Sequence, residues 1–555
     1  MPRFNLQARQ PARYTTRPLG ILACTLVSLL LAGSPLPQRT LQTTIQDDAV
    51  LLHGSDASVK SAIAQIAHLG FNYVRLTASW SAIAPQSSSP QMPAPPFDPT
   101  NPLTYPYSGF QDLDRAVVDA HEAGLKVMLD IAFWAPRWAV PIGSPEGENR
   151  YEPNPTLFGD FAEAVANRYD GGYVDPADPA IHLPAVQLYT IWNEPNQSEF
   201  LEPQWQRTPT GWVAESPQIY RGMYDDAYTG IKHVDPSDKV LIGATAADGS
   251  TTPGQGDVPP ITFVKGLACV DQDLRPLSIP QCDGYQPLHA DGYADHPYSL
   301  NTTPATSSTV PDDVPLADTS RLETLLSQLY LDGRITTDPP LYDTEYGYNT
   351  NPPDPSAPFN PSQQAQFVGW STYLAWRDPG TVMLGQFLLR DPQPGSTQAG
   401  TSPYETGLYY SDGQPKPAAQ AFRVTFWAQR ILGPGSPLVL LFGRVPAGTG
   451  GPQIVQVQSL SPSGTTWEPV QTLLPSCASQ DEFLTNKAGY FLTTAPLPAL
   501  TATYRLGWRD PAGQWEYGVP IPVDASQPLP DLASEIQPIS ISGLGPERQP
   551  GSFRP

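Results

Sequence analysis

From about residue 50, apolar and polar positions follow two alternating periods. "DASVKSAIAQIAHLG" (56–70) repeats apolar residues every three to four positions and stops at a glycine, which predicts a helix. "FNYVRLTASW" (71–80) follows as a run rich in aromatic and β-branched residues, the pattern of a strand. The pair then recurs. Helices are predicted over 110–124, 156–170, 217–235, 321–333 and 362–378. Strands are predicted over 125–134, 185–192, 239–247, 289–299, 339–349 and 381–389. With "DDAVLLHG" (47–54) as the first strand, eight strands alternate with helices. Right-handed βα repetition of that number closes most simply into a barrel. The expected fold class is therefore α/β, a (β/α)8 TIM barrel over residues 45–425.

The pattern changes after about residue 425. "LVLLFGRV", "PQIVQVQSL", "TWEPVQTLL", "GYFLTTAPL", "ATYRLGWRD" and "QWEYGVPIPV" are short alternating runs set apart by turn residues. They predict a small C-terminal β-sandwich of the immunoglobulin-like kind over 426–525. Its aromatics Trp467, Tyr490, Trp508 and Trp515 fall at core positions of those strands, which favours a bracing role over polysaccharide binding. Residues 526–555 are rich in Pro and Ser without periodicity, the composition of a disordered tail.

The first 34 residues carry Arg3, Arg9, Arg13 and Arg17 ahead of the apolar run "LGILACTLVSLLLA" (19–32). That is the layout of a secretory signal peptide, or of an N-terminal anchor if it is not cleaved. Export implies a secreted or cell-surface protein, with membrane contact only in the uncleaved form. The net charge of −23 and the lack of a basic stripe argue against nucleic acid as a partner. Of the four cysteines, Cys24 falls inside the signal and Cys477 is left without a partner. Cys269 and Cys282 bracket a loop that a disulfide can close, and neither belongs to the C-x-x-C pair that zinc favours.

The candidate chemistry sits at strand ends. In "YTIWNEPNQ" (189–197) an apolar strand runs into Asn193 and Glu194, and Pro195 ends regular pairing and is expected to hold Glu194 extended. In "LYDTEYGYN" Glu345 ends the seventh strand, as Glu194 ends the fourth. Strands four and seven lie across a barrel mouth from each other. Two carboxylates facing one another across a cleft suit glycoside hydrolysis, in which one protonates the leaving oxygen and the other attacks the anomeric carbon or activates water.

"WNEPN" after the fourth strand and "TEYG" after the seventh resemble the retaining glycoside hydrolases of clan A, the 4/7 superfamily, in its family 39-like and family 5-like members. The resemblance spans residues 48–425. It implies a retaining O-glycosyl hydrolase acting on oligo- or polysaccharides, with Glu194 as acid/base and Glu345 as nucleophile. It further implies that Asn193 bonds the sugar 2-hydroxyl and that Arg75 holds the nucleophile ionised. His296 would stand near the acid/base, and Tyr298 would bond the nucleophile. Trp80, Trp134 and Trp138 either stack on sugar rings or fill the space over the barrel. The eighth strand, "LGQFLLRD", departs from the pattern: Gln386 and Phe387 stand where many relatives carry a Trp, and the sugar is left open. Asp391 and Tyr404 are further cleft candidates. The sequence holds no H-E-x-x-H, EF-hand or Gly-rich phosphate motif, so no cofactor and no metal are expected. The rival readings are a carbohydrate-binding barrel without turnover and a transglycosylase using the same residues.

Overall fold

A computed structural model describes residues 39–144, 149–209, 211–393, 404–431, 438–448, 451–470, 481–497 and 501–524. The N-terminal signal, Cys24, Cys477 and the C-terminal tail lie outside the described residues. No helix among the described residues is long and apolar enough to cross a membrane.

Eight strands form a closed barrel: β1 Gln42–Gln46, β2 Tyr73–Ser79, β3 Lys126–Ala132, β4 Leu188–Ile191, β5 Lys239–Ala246, β6 Gly292–His296, β7 Leu341–Asp343 and β8 Thr381–Phe387. All neighbours are parallel, and β8 closes on β1 with Gln46 opposite Phe387. The main helices are α1 Asp56–Leu69, α2 Tyr107–Glu122, α3 Pro155–Arg168, α4 Ser216–Val234, α5 Pro260–Leu267, α6 Thr319–Leu331, α7 Pro361–Arg377 and α8 Pro417–Arg423. Their ends obey local chemistry. Ser55 caps α1 by accepting from the Ser58 amide, and Gly70 ends it in the left-handed region. Asn360 and Gln363 cap α7 reciprocally, with Pro361 at its first position.

Three expectations need correction. The first strand is not 47–54 but β1, and the barrel therefore begins before residue 45. Asp47 accepts the Val50 amide and starts a short helix, Asp48–Leu51, where "AVLL" had suggested a strand. A short apolar run fits either element, and the cap decides here. The segment between β5 and β6 also holds a helix, α5, that the pattern did not mark. Finally, Pro195 does not leave Glu194 extended. Glu194 has φ +40° and Trp192 φ +63°.

The C-terminal unit packs two antiparallel sheets. One has Thr425–Arg430, Leu438–Arg444 and Tyr490–Pro496; the other is built on Ile454–Leu460 and Thr501–Arg509. Its core includes Val439, Leu441, Val455, Val457, Phe491, Leu506 and Trp508. Tyr490 and Trp508 are buried, whereas Trp467 and Trp515 are only half-buried. The unit grips the barrel at the end opposite the carboxyl termini of the strands. The Tyr490 hydroxyl donates to the Leu41 carbonyl at 2.8 Å, and Arg444 donates to the Gly70 carbonyl. Arg444 also lies over Phe422, 5.1 Å from its ring centre, and Trp427 stacks on Trp370 with ring centres 4.7 Å apart.

Candidate active site

The chain leaves β4 at Ile191 and turns sharply. The Trp192 amide donates to the Ile131 carbonyl at 2.8 Å, and the Glu194 amide donates to the Ala244 carbonyl at 2.9 Å. These bonds, one to β3 and one to β5, hold two side-chain-bearing residues at positive φ, each costing about 1–3 kcal/mol. Asn196 adds to the clamp. Its amide donates to the carbonyls of Ala246 and Val258, and its oxygen accepts the Ala246 amide at 2.8 Å. The turn thus aims Glu194 into the mouth of the barrel.

Glu345 enters from the other side, two residues past β7. Arg75 on β2 donates to its Oε1, and the Tyr298 hydroxyl donates to Oε2 at 3.2 Å. His296 at the end of β6 sits between the two acids. Its Nδ1 lies 2.8 Å from Glu194 Oε1 and its Nε2 3.6 Å from Glu345 Oε1. One oxygen from each carboxylate and one His296 nitrogen all lie within 4.8 Å of one another. Arg75 is fully buried. It also bonds Asp130 at 3.0 Å, Asn193 Oδ1 at 3.2 Å and Gln46 Oε1. Asp130 in turn accepts from Thr190 at 2.6 Å.

The environments drive the two acids apart. Burial raises the Glu194 carboxyl above its ordinary range, and the bond and charge of His296 only partly offset this. Burial also acts on Glu345, but His296, Arg75 and the bonds from Arg75 and Tyr298 outweigh it, so Glu345 is held below its ordinary range. Burial would lower His296; Glu345 and Glu194 overcome that and raise it. One acid is thereby biased to keep its proton and the other to lose it. Glu194, His296 and Glu345 are close enough to hold a metal ion. His296 Nδ1 is already bonded to Glu194, however, and the Arg75 guanidinium on Glu345 repels a second cation. The arrangement suits proton handling better.

The structure brings Glu194, Glu345, Asn193, Arg75, His296 and Tyr298 together. The tryptophans divide. Trp80 is fully buried, packed on Trp138, Phe158 and Phe161, and Trp138 is buried with its indole N–H on the Pro85 carbonyl. Neither lines the cleft; both fill the layer between strands and helices. Trp134, just past β3, is half-buried and donates to the Glu199 carbonyl at 3.4 Å. Asp391 is buried in an ion pair with Lys416 at 2.7 Å. Cys269 and Cys282 are bridged, with Cα atoms 5.7 Å apart. The sequence reading missed Gln46, Asp130 and Asn196. Asp130 did leave a signal, as a lone acid inside the apolar run "KVMLDIA". Gln46 left none, because its strand had been placed later in the chain.

A parallel barrel whose fourth and seventh strands deliver two facing carboxylates is the arrangement that the resemblance to clan A glycoside hydrolases implies. Residues 32–265 match the family model "Cellulase (glycosyl hydrolase family 5)". The matched stretch begins ahead of β1, ends within α5 and includes Glu194. No curated protein matches it. Solved structures similar to it include the endo-beta-1,4-mannanase from Thermotoga petrophila, at 13% identity and TM-score 0.38, covering 88% of this chain and 97% of that one. A GH5_18 protein from Streptomyces cattleya in complex with GlcNAc aligns at 14% identity and TM-score 0.43, over 69% of this chain and 79% of the other. A GH5_18 protein from Bifidobacterium longum subsp. infantis aligns at 16% and 0.42, over 69% and 78%.

Proposed function

We propose that this chain is an exported glycosidase that cleaves O-glycosidic bonds of oligo- or polysaccharides by double displacement. The observation that carries this reading is the opposite bias of two carboxylates whose oxygens lie within 4.8 Å. Retention needs carboxyl groups about 5–5.5 Å apart, and inversion needs about 6.5–9.5 Å to admit a water. Export is supported by the basic and apolar N-terminal layout and by the Cys269–Cys282 bridge.

In the first step Glu194 gives its proton to the glycosidic oxygen, and a Glu345 oxygen bonds the anomeric carbon as the leaving group departs. In the second step Glu194, now a carboxylate, takes a proton from water. The water oxygen displaces Glu345, and the sugar leaves with its configuration retained. Arg75 and Tyr298 hold Glu345 ionised and aimed. Asn193 spends its oxygen on Arg75, which leaves its NH2 to donate to the sugar 2-hydroxyl. Trp134 bonds the β4 loop through the Glu199 carbonyl.

Azide separates the roles of the two acids. An activated aryl glycoside departs without protonation, so Glu194→Ala forms the glycosyl-enzyme and then stalls for want of a base. Azide needs no base and should restore turnover, yielding a glycosyl azide of retained configuration. Glu345→Ala lacks the nucleophile, and azide entering directly should give the inverted product. The reverse pattern overturns the assignment. Undiminished turnover of natural glycosides by either variant overturns the mechanism.

A further inference from the structure

We infer that Tyr404 is a sugar-stacking residue, its ring forming one wall of the subsite that holds the sugar attacked by Glu345. The inference rests on the assignment of Glu345 as nucleophile. Tyr404 is 46% exposed although its ring meets two other aromatic side chains. Its ring centre lies 6.3 Å from Tyr298, the residue bonded to Glu345, and 5.6 Å from Phe387 at the end of β8, edge to face. Phe387 and Tyr298 also meet edge to face at 6.5 Å. Three rings therefore converge beside the nucleophile, and the one from the loop after β8 keeps surface open. The charges of Glu194 and Glu345 both bear on its phenol, which burial and then these charges push up.

The chain immediately after Tyr404 is tied down by buried side chains. The Glu405 carbonyl accepts from Lys416 Nζ at 3.0 Å, and that lysine is itself fully buried on Asp391 and Thr350. The Thr406 carbonyl accepts from Gln386 and from Gln364, each at 3.0 Å, and its hydroxyl donates to the Phe387 carbonyl at 2.6 Å. The Gly407 amide donates to Asp391 at 3.0 Å. Gln386 thus turns its amide back to the loop. The loop in turn carries an aromatic ring to the cleft.

A ring in that place has work that a merely apolar side chain cannot do. Its electron-rich face attracts the C–H face of a sugar, and attracts it more as positive charge grows at the anomeric carbon. Such a contact lowers the barrier as well as the binding constant. The hydroxyl is not required.

Two substitutions at this exposed position test the role. They are assayed on whichever of 4-nitrophenyl β-D-glucoside and β-D-mannoside the wild type hydrolyses faster. Tyr404→Phe should keep kcat/KM within threefold, on the order expected when only an unused hydroxyl is lost. Tyr404→Leu keeps apolar bulk without a π face, and its kcat/KM should fall roughly 10- to 100-fold, with kcat sharing in the loss. The uncleavable 1-thio analogue reads binding whichever acid attacks. Its Kd should weaken for Tyr404→Leu and hold for Tyr404→Phe, so a failure of the nucleophile assignment would show in the azide products and not here. Full activity in Tyr404→Leu, or equal damage in Tyr404→Phe, overturns the inference.

Discussion

His296 shows how one side chain sets two acidities. Its Nδ1 bonds Glu194 and its charge bears on Glu345, and in both cases it favours the carboxylate. With the proposed roles, activity needs Glu345 ionised, so the acid limb of the pH profile reports that group. It needs Glu194 protonated, so the alkaline limb reports that one. His296→Asn removes an influence that lowers both pKa values. Both limbs should therefore move to higher pH, the acid limb because Glu345 keeps its proton longer and the alkaline limb because Glu194 does so too. A kcat/KM profile from pH 3 to 9 would show it. An unmoved acid limb would take His296 out of contact with the nucleophile. Much of this residue scale was legible beforehand. Glu194 and Glu345 stood out because a carboxylate at the end of an apolar strand is costly to place without a use. Trp80 and Trp138 were ambiguous for the opposite reason: an indole serves equally well as core and as platform, and only its neighbours tell which.

Among the elements, β7 and β8 are the pair on which the nucleophile depends. β7 pairs regularly only over Leu341–Asp343, so Glu345 is located mainly by what lies beside it. Gly385 on β8 packs directly on that backbone: a Cβ there would lie 2.4 Å from the Thr344 carbonyl oxygen and 2.9 Å from the Glu345 nitrogen. No side chain fits without moving the strand. Gly385→Ala should cost about 1–3 kcal/mol by overpacking. It should also cut kcat by about 10²-fold, since a displacement of roughly 1 Å can cost that much. Urea titration and initial rates would measure both, and a variant with wild-type rate would show that β8 does not set the position of Glu345. The element periods themselves were readable from the sequence for seven of the strands. β1 was misplaced because "QTTIQ" is polar by composition. It is largely buried all the same, with its Gln46 bonded to Arg75.

For the whole molecule, the question is what the C-terminal unit contributes. Its contacts gather on the start of β1, on the turn after α1, and on α7 and α8, far from the carboxylates. Ending the chain at residue 424 would uncover Tyr373, Trp376 and Phe422, which Phe442, Tyr490 and Arg444 cover. Each buried ring exposed forfeits about 1.5–3 kcal/mol. The shortened chain should unfold at a clearly lower urea midpoint, yet hydrolyse an activated aryl glycoside at a rate per folded molecule within about threefold, because none of the unit's described residues reaches the site. An unchanged midpoint would show that the unit is not a brace.

The sequence by itself determined the alternation of strand and helix, the change to a β unit near residue 425, and the two strand ends that carry Glu194 and Glu345. Each is a local property, written in the period of apolar positions or in the cost of a charge beside a buried strand. Only the tertiary structure decided the rest. The opposite bias of the two acids depends on Arg75, His296 and Tyr298, which come from strands far apart in the chain. The positive φ of Glu194 is imposed by amide bonds to neighbouring strands, against the preference that Pro195 gives it locally. Tyr404 meets Tyr298 beside Glu345 because Glu405 and Thr406 are held by buried Lys416 and Gln364. These are distances between residues remote in sequence. They are fixed only once the barrel closes.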